Sequence, residues 1–424
     1  MSITRRNFIK AAGATAALAY LPRTVGAATT DFDVVVVGGG FAGATVAKYI
    51  RMWSGYTRSV ALVDANPDHT SCVLSNLVLN GRMQLSELKL PLVKLANNHG
   101  VTVIVGTAES VSPGQVTLAG GATTLTCRRM VLATGISFEE LPGWDQKLMP
   151  HAWSAGPQTT LLRDKLRTLR KGDRFVMTIP LAPYRCPPGP YERACVVADM
   201  LKRLGGGKVT VLDANSDIVA EKHTFDTAFR TIYKDIIEYR PGTPISSIDS
   251  AKLAVNGIQG RVVNIIAPHS APALLREAGL TNGGKWAPVN PLTYESTAAG
   301  FVGKGIHVIG DSCTAPVQPK SAHMANSQAK VCADAIVRYL SPTPTDPLTD
   351  ADRTRNITTN SACYSPITYS EASWLTANYR AVLGADGKTY QMNLVQLGEA
   401  EKWDGENFED MFTWASNLFT DSFT

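Results

Sequence analysis

Apolar residues in this chain come in short continuous runs separated by stretches of helical spacing. Val34–Val37, in DFDVVVVGGG, is such a run, and FAGATVAKYI after it has the period of a helix. SVALVDA (59–65), RRMVLATG (128–135), FVMTIP (175–180), KVTVLDA (208–214) and GKGIHVIGDSC (303–313) repeat the strand pattern. Continuous apolar runs, rather than alternating ones, predict strands buried on both faces and covered by helices. ACVVADMLKRLGGG (194–207) and SAHMANSQAKVCADAIVRYL (321–340) read as covering helices, the first starting near Tyr191. The fold class predicted is α/β.

The turns between these elements carry the chemistry. Gly38-x-Gly40-x-x-Gly43 lies between the first strand and its helix. The first glycine permits the tight turn, the second lets backbone approach a pyrophosphate, and the third lets helix pack on strand. Asp64 ends the next strand, where a carboxylate can accept from ribose hydroxyls. Far down the chain, Ala133-Thr134-Gly135 and Gly310-Asp311 close two further strands. This set resembles the flavoproteins with two dinucleotide-binding domains, in which such an aspartate binds the ribityl chain of FAD. The helix after Asp311 would then aim its N-terminus at the flavin.

A second strand–turn–helix–strand unit follows, but its turn reads APYRCPPGPYER (182–193). Pro183, Pro187, Pro188 and Pro190 lack the backbone N–H that would bind a phosphate, and Glu192 adds charge of the wrong sign. The unit is therefore expected to lack a nicotinamide site. Cys186 in this turn stands near a helix N-terminus, which predicts a stabilised thiolate, while half of a structural disulfide is an equal alternative.

Composition adds limits. Residues 1–27 carry Arg5 and Arg6 in an S/T-R-R-x-F-x-K pattern, a short apolar run and small residues near Ala27, the form of a twin-arginine export signal. They hold four basic residues and no acid, so without them the formal charge falls from +5 to +1. That balance gives no electrostatic footprint for nucleic acid. Nowhere are there ~18 consecutive apolar residues, so no transmembrane segment is expected. The domains expected are the signal (1–27), a first FAD part (28–145), a second Rossmann-like unit (146–270), a second FAD part (271–345) and a C-terminal region (346–424). The seven cysteines (72, 127, 186, 195, 313, 332, 363) fit an oxidising compartment, with pairing left open. Cys195 and Cys332 fall in helical patterns and read as core, Cys127 opens a strand, and Cys313 follows the Gly310-Asp311 turn. There is no C-x-x-C-H and no spaced histidine cluster, so neither haem nor metal is expected on this chain.

RCPPGPYERA, DHTSCVLSNLVLNGR, MPHAWSAG, GLTNGGKWAPVNPLTYES, GIHVIGDSC, PKSAHMANSQAKV and NSACYSP together are similar to the flavoprotein subunit of flavocytochrome c sulfide dehydrogenase, over essentially the whole chain after the signal. The resemblance implies two Rossmann-like domains of the FAD/NAD-linked disulfide reductase type and a C-terminal α+β region. It implies FAD joined through its 8α-methyl carbon to Cys72, and Lys320 in the cofactor site. It makes Cys186 and Cys363 a redox-active disulfide, Glu192 an acid–base residue, and Trp414 a wall of the same cavity. The implied partner is a c-type cytochrome in the periplasm, and the implied reaction is oxidation of hydrosulfide to sulfur or polysulfide. Which cysteine hydrosulfide attacks first is left open, with a slight preference for Cys186 from its place near a helix N-terminus. Two alternatives are a sulfide:quinone oxidoreductase, docking on a membrane through the C-terminal EDMFTWASNLFTDSF, and a redox partner of a sulfur-carrier protein of the Sox type. That C-terminal stretch lacks Lys and Arg on its polar face.

Overall fold

The structure, a computed structural model, describes residues 28–424 apart from 122 and 316. The expected export signal lies outside the described residues. Strand β1 (Ala28–Val37) leads into helix α1 (Phe41–Trp53), and β2 (Val60–Asp64), β3 (Thr102–Val105) and β4 (Thr123–Leu132) follow. β1 pairs in parallel with β2 on one side and β4 on the other, and β3 extends the sheet beyond β2. Val34, Val35 and Val36 are wholly buried, as a strand sandwiched between layers requires. Antiparallel strands Ala108–Ser112 and Gln115–Leu118 close the far edge beyond β4. Cys127 sits in the middle of β4 rather than at its start.

The chain then crosses to a second parallel sheet through a short ladder in which Phe138 pairs with His269. That sheet holds β5 (Arg174–Ile179), β6 (Lys208–Asp213), β7 (Ile237–Arg240) and β8 (Val262–Ile265), with β5 and β6 central. Helix α2 (Gly189–Arg203) joins β5 to β6 and begins two residues before Tyr191, with Pro188 and Pro190 at its first turn. Proline suits this position because the first N–H groups of a helix have no internal partner.

Returning through the ladder, the chain adds β9 (Ile306–Val308) beside β4 and covers the first sheet with α3 (Ala322–Leu340). Cys332 in α3 and Cys195 in α2 are fully buried, as core cysteines are. An antiparallel sheet of β10 (Thr358–Pro366), β11 (Ala372–Leu383) and β12 (Tyr390–Glu399) follows, and α4 (Gly405–Phe423) ends the chain. The fold is thus α/β of the FAD/NAD-linked disulfide reductase type with a C-terminal α+β region. Its consequence for chemistry is convergence. The turn before α2, the start of α3, β10 and α4 all reach one place.

Candidate active site

The first turn is shaped by contact. A Cβ on Gly43 would lie 1.8 Å from the Gly38 carbonyl oxygen, and one on Gly38 (φ +103°) would lie 2.4 Å from that of Ala133. Helix and strand meet there with no room for a side chain, as the glycine pattern predicts. Around Gly40 the nearest atom to such a Cβ is His69 Cε1 at 3.6 Å, so this backbone stands more open. The Asp64 carboxylate accepts from Gly39 N at 2.7 Å and Asn66 N at 2.8 Å. It therefore braces the turn as well as ending the strand, a role the sequence pattern did not suggest.

Thr134 Oγ1 and Ser312 Oγ are 3.0 Å apart, and Ser312 Oγ donates to the Gly135 carbonyl at 2.7 Å, which ties the two strand ends together. Gly310 N donates to Gln328 Oε1 at 2.8 Å. Asp311 Oδ1 is buried with no partner among the described residues. Burial holds the Asp311 carboxyl above its usual range, against the opposing pull of Arg185 and Lys320. Lys320 Nζ donates to the carbonyls of Asp311 and Cys313, each at 2.8 Å, and lies 3.7 Å from the centre of the Trp286 ring. A glycine turn at a helix start, plus a buried acidic oxygen without a partner, suits the pyrophosphate and hydroxyl-rich chain of FAD. The residues present fit the cofactor.

In the second unit, Cys186 has left-handed backbone (φ +57°). Its N–H donates to the Lys320 carbonyl at 2.7 Å and its own carbonyl accepts from Gly189 N at 3.0 Å. A Cβ on Gly189 would fall 2.8 Å from Cys186 Sγ and 2.9 Å from Trp153 Cη2, so only glycine fits there. Asp213, at the end of β6, corresponds to the acid that Asp64 supplies in the first unit. It accepts from Tyr191 OH and Tyr239 OH, each at 2.8 Å, and from Asn215.

Cys72, Cys186, Glu192, Cys363 and Trp414 all line one pocket, although they are spread over some 340 positions of the chain. Ser321, Ala322 and His323 bring the start of α3 into it. All seven cysteines are free in this structure. Cys72 Sγ donates to the Trp153 carbonyl at 3.6 Å. Trp414 Nε1 and His323 Nδ1 are buried with no partner among the described residues.

Two polar lining residues, Asn76 and Arg193, were not singled out from sequence. Asn76 donates from Nδ2 to Glu192 Oε1 at 2.9 Å and accepts at Oδ1 from Arg193 Nε, also at 2.9 Å. Arg193, only 2% exposed, also donates to the carbonyls of His151 and Ala152 and to Asn264 Oδ1, and lies over the Trp153 ring. Burial pushes the Glu192 carboxyl up to about 7, against the Asn76 hydrogen bond and the Arg193 charge. The same burial, then the charge of Glu192, pushes the Cys186 thiol up to about 12. Cys363 is raised well above the usual thiol range, by burial first and then by Cys186. This corrects the expectation of a stabilised thiolate at the helix start. Desolvation outweighs the nearby backbone dipoles, because a thiolate enclosed by apolar surface loses its hydration.

Comparison with known proteins agrees with the fold. Residues 32–174 match the family model of the pyridine nucleotide-disulphide oxidoreductases, and 2–22 match that of the twin-arginine translocation signal. The chain is exported by the twin-arginine route, to the periplasm. The sulfide:quinone oxidoreductase of Aquifex aeolicus superposes with a TM-score of 0.70, at 16% identity, over 93% of this chain and 92% of that one. The covalent putidaredoxin reductase–putidaredoxin complex gives 0.60 at 19% identity, over 93% and 94%. A NAD-dependent persulfide reductase from A. fulgidus gives 0.57 at 15%, over 93% and 77%. Fold and site together define an FAD-dependent oxidoreductase of the disulfide reductase type. Residues 159–267 match the family model of the central region of the sulfide dehydrogenase [flavocytochrome c] flavoprotein chain, in agreement with the resemblance read from the sequence.

Proposed function

We propose that this chain is the flavoprotein half of a sulfide:cytochrome c oxidoreductase, with a c-type cytochrome as its partner. The observation that carries the reading is the pocket shared by Cys72, Cys186, Glu192 and Cys363. Outside that pocket, Gly38, Gly40, Gly43 and Asp64 would hold the nucleotide end of FAD, and Thr134, Gly135, Gly310, Asp311 and Lys320 its ribityl and ring end. Cys72, free in this structure, would supply the thiol joined to the cofactor. When bound, FAD supplies an acceptor that takes an electron pair from the cysteine pair and releases it singly to a haem.

The chain's own residues do the sulfur chemistry. Hydrosulfide attacks the Cys186–Cys363 disulfide, so one S–S bond forms as another breaks. One cysteine becomes a persulfide, and the other leaves with its electron pair. The leaving sulfur needs a proton, because burial makes a thiolate there costly. Glu192, which lines the same pocket and is protonated below about pH 7, gives it. Asn76 and Arg193 hold the carboxyl in position.

The second turn supports a small substrate rather than NADH. Its prolines offer few donors, and Asp213 is already saturated by two tyrosines. A membrane-docking role for α4 is disfavoured. Phe408, Met411, Ala415, Leu418 and Phe423 are buried, and Lys48 Nζ caps the helix end through the carbonyls of Thr420 and Asp421. No helix among the described residues is long and apolar enough to cross a membrane.

The deciding experiment is mass spectrometry of acid-denatured, non-reduced protein beside stopped-flow cytochrome reduction. Flavin mass on the Cys72 peptide, a Cys186–Cys363 cross-link, and loss of sulfide-driven reduction in C186S and C363S are expected. Full activity in both variants would reject the disulfide mechanism. Dependence on an added sulfur-carrier protein would point to the Sox-type role instead.

A further inference from the structure

A second buried carboxyl group stands by the cysteines, and the mechanism above does not use it. Glu221 is 2% exposed and has left-handed backbone (φ +48°). It lines a separate pocket of ≈ 300 Å³ with Val219, Leu375, Leu397 and Cys363. Cys363 and Pro188 border both pockets, whereas Glu192 faces only the first and Glu221 only the second. Cys363 is thus reachable from two sides, each with its own carboxyl group.

The second pocket is built for an uncharged occupant. Its walls are largely aliphatic, and Leu397 and Val219, 62% and 41% exposed, lie toward solvent. Its charged groups are occupied: Lys222 pairs with Asp217, and Glu399 Oε1 accepts from Thr224 N and Oγ1. Glu221 Oε2 accepts from Ser365 Oγ, while Oε1 is buried with no partner among the described residues. Burial first, then the charges of Glu399 and Glu192, hold its carboxyl up to about 8 against the hydroxyls of Ser365 and Ser373, so it is protonated at neutral pH.

We propose that this pocket is the release site for the sulfane sulfur, and that Glu221 is the proton-handling residue for Cys363. The proposal rests on the disulfide mechanism with Cys363 as the sulfur that hydrosulfide attacks and Cys186, which shares the first pocket with Glu192, as the one that leaves, the reverse of the slight preference for Cys186 drawn from sequence. Neutral hydrogen sulfide enters and its sulfur attacks the outer sulfur of the Cys363 persulfide. A bond forms between those two sulfurs, and the bond from Cys363 Sγ breaks with its electron pair going to Sγ. Glu221 gives its proton to Sγ and regains one from the attacking sulfide. Neutral disulfane departs, Cys363 is left as a thiol, and no electrons are gained or lost overall. No charge has to be stranded in an apolar pocket, which its lining requires.

The test uses the holoenzyme with sulfide as the only probe. Persulfide is trapped by alkylation and located by peptide mass spectrometry, while sulfide consumption is followed in steady state. E221Q should slow consumption about tenfold or more, with persulfide accumulating on Cys363. A220W, which fills the pocket wall and keeps the carboxyl, should do the same and covers the case in which E221Q fails to fold. Native consumption and native Cys363 occupancy in both variants would overturn the release site while leaving the disulfide mechanism intact. Persulfide on Cys186 alone, or none in the unmodified enzyme, would overturn the underlying reading and the release site with it.

Discussion

The backbone N–H of Cys186 donates to the Lys320 carbonyl at 2.7 Å, and this bond joins the proline-rich turn before α2 to the segment that leads into α3. Two stretches more than a hundred residues apart are thereby held as one surface. Lys320 secures its own side of it, since Nζ donates to two buried carbonyls. K320M would leave those carbonyls unpaired. A loss of about 2 kcal/mol in stability is expected, read as a lower urea midpoint with unchanged slope. In a C72S background the same change should also speed loss of FAD on gel filtration.

Glu192 links activity and stability with opposite signs. Its carboxyl has an ordinary value of 4.5 and is pushed up to about 7 by burial. The protonated form is favoured in the fold, so its contribution to stability is full below about pH 4.5 and is lost as pH rises through about 7. E192Q keeps the shape and the acceptor for Asn76 but cannot ionise. At pH 8 it should be more stable than the native protein, on the order of 1–3 kcal/mol. Sulfide-driven reduction should fall about 100-fold in the same variant. At fixed hydrosulfide concentration, the native rate should decline as pH rises through about 7, and the variant should lose that step.

The contrast between Glu192 and its neighbours shows what a linear pattern can carry. Gly38 and Gly43 were legible because each is demanded by local backbone geometry next to a strand end, and Asp311 because the Gly-Asp pair at a strand end resembles that of two-domain flavoproteins. Cys363 and Trp414 were placed by resemblance, since nothing in NSACYSP or FTWASN sets them beside a cysteine 170 or more positions earlier. Arg193 and Glu221 were not legible. A charged residue in a helical pattern reads as solvent-facing, and only the packing of 150–153 over α2, or of β10 and β12 over residue 221, buries it. The raised thiol of Cys186 was misread for a related reason. A helix start is visible in sequence, but the desolvation that outweighs it is not.

Arg193 is the structural centre of that hidden network. It donates to Asn76, Asn264 and two carbonyls, and its burial lowers the guanidinium to about 10. R193M should cost about 3–5 kcal/mol, because the partners stay buried and unpaired. R193K should recover little, as a single ammonium cannot reach a planar set of four acceptors. Thermal unfolding of the three proteins at one pH checks both statements.

Alkylation of the reduced protein separates the two views of Cys186. A thiolate stabilised by the start of α2 would react quickly with iodoacetamide at pH 7 and show no further pH dependence. A thiol pushed up to about 12 by burial and by Glu192 is almost wholly protonated there, so its rate should climb nearly tenfold per pH unit from 7 to 9. Removing the Glu192 charge removes the second cause but not the first. E192Q should therefore speed the reaction at pH 9 and leave most of the slope in place. If the rate is flat from pH 7 to 9, burial is not what governs this cysteine, and Glu192 loses its reason to protonate a leaving sulfur. A steep rise partly relieved in E192Q ties the cysteine to its acid, and the same measurement on Cys363 in E221Q would extend the test to the other side of the pair.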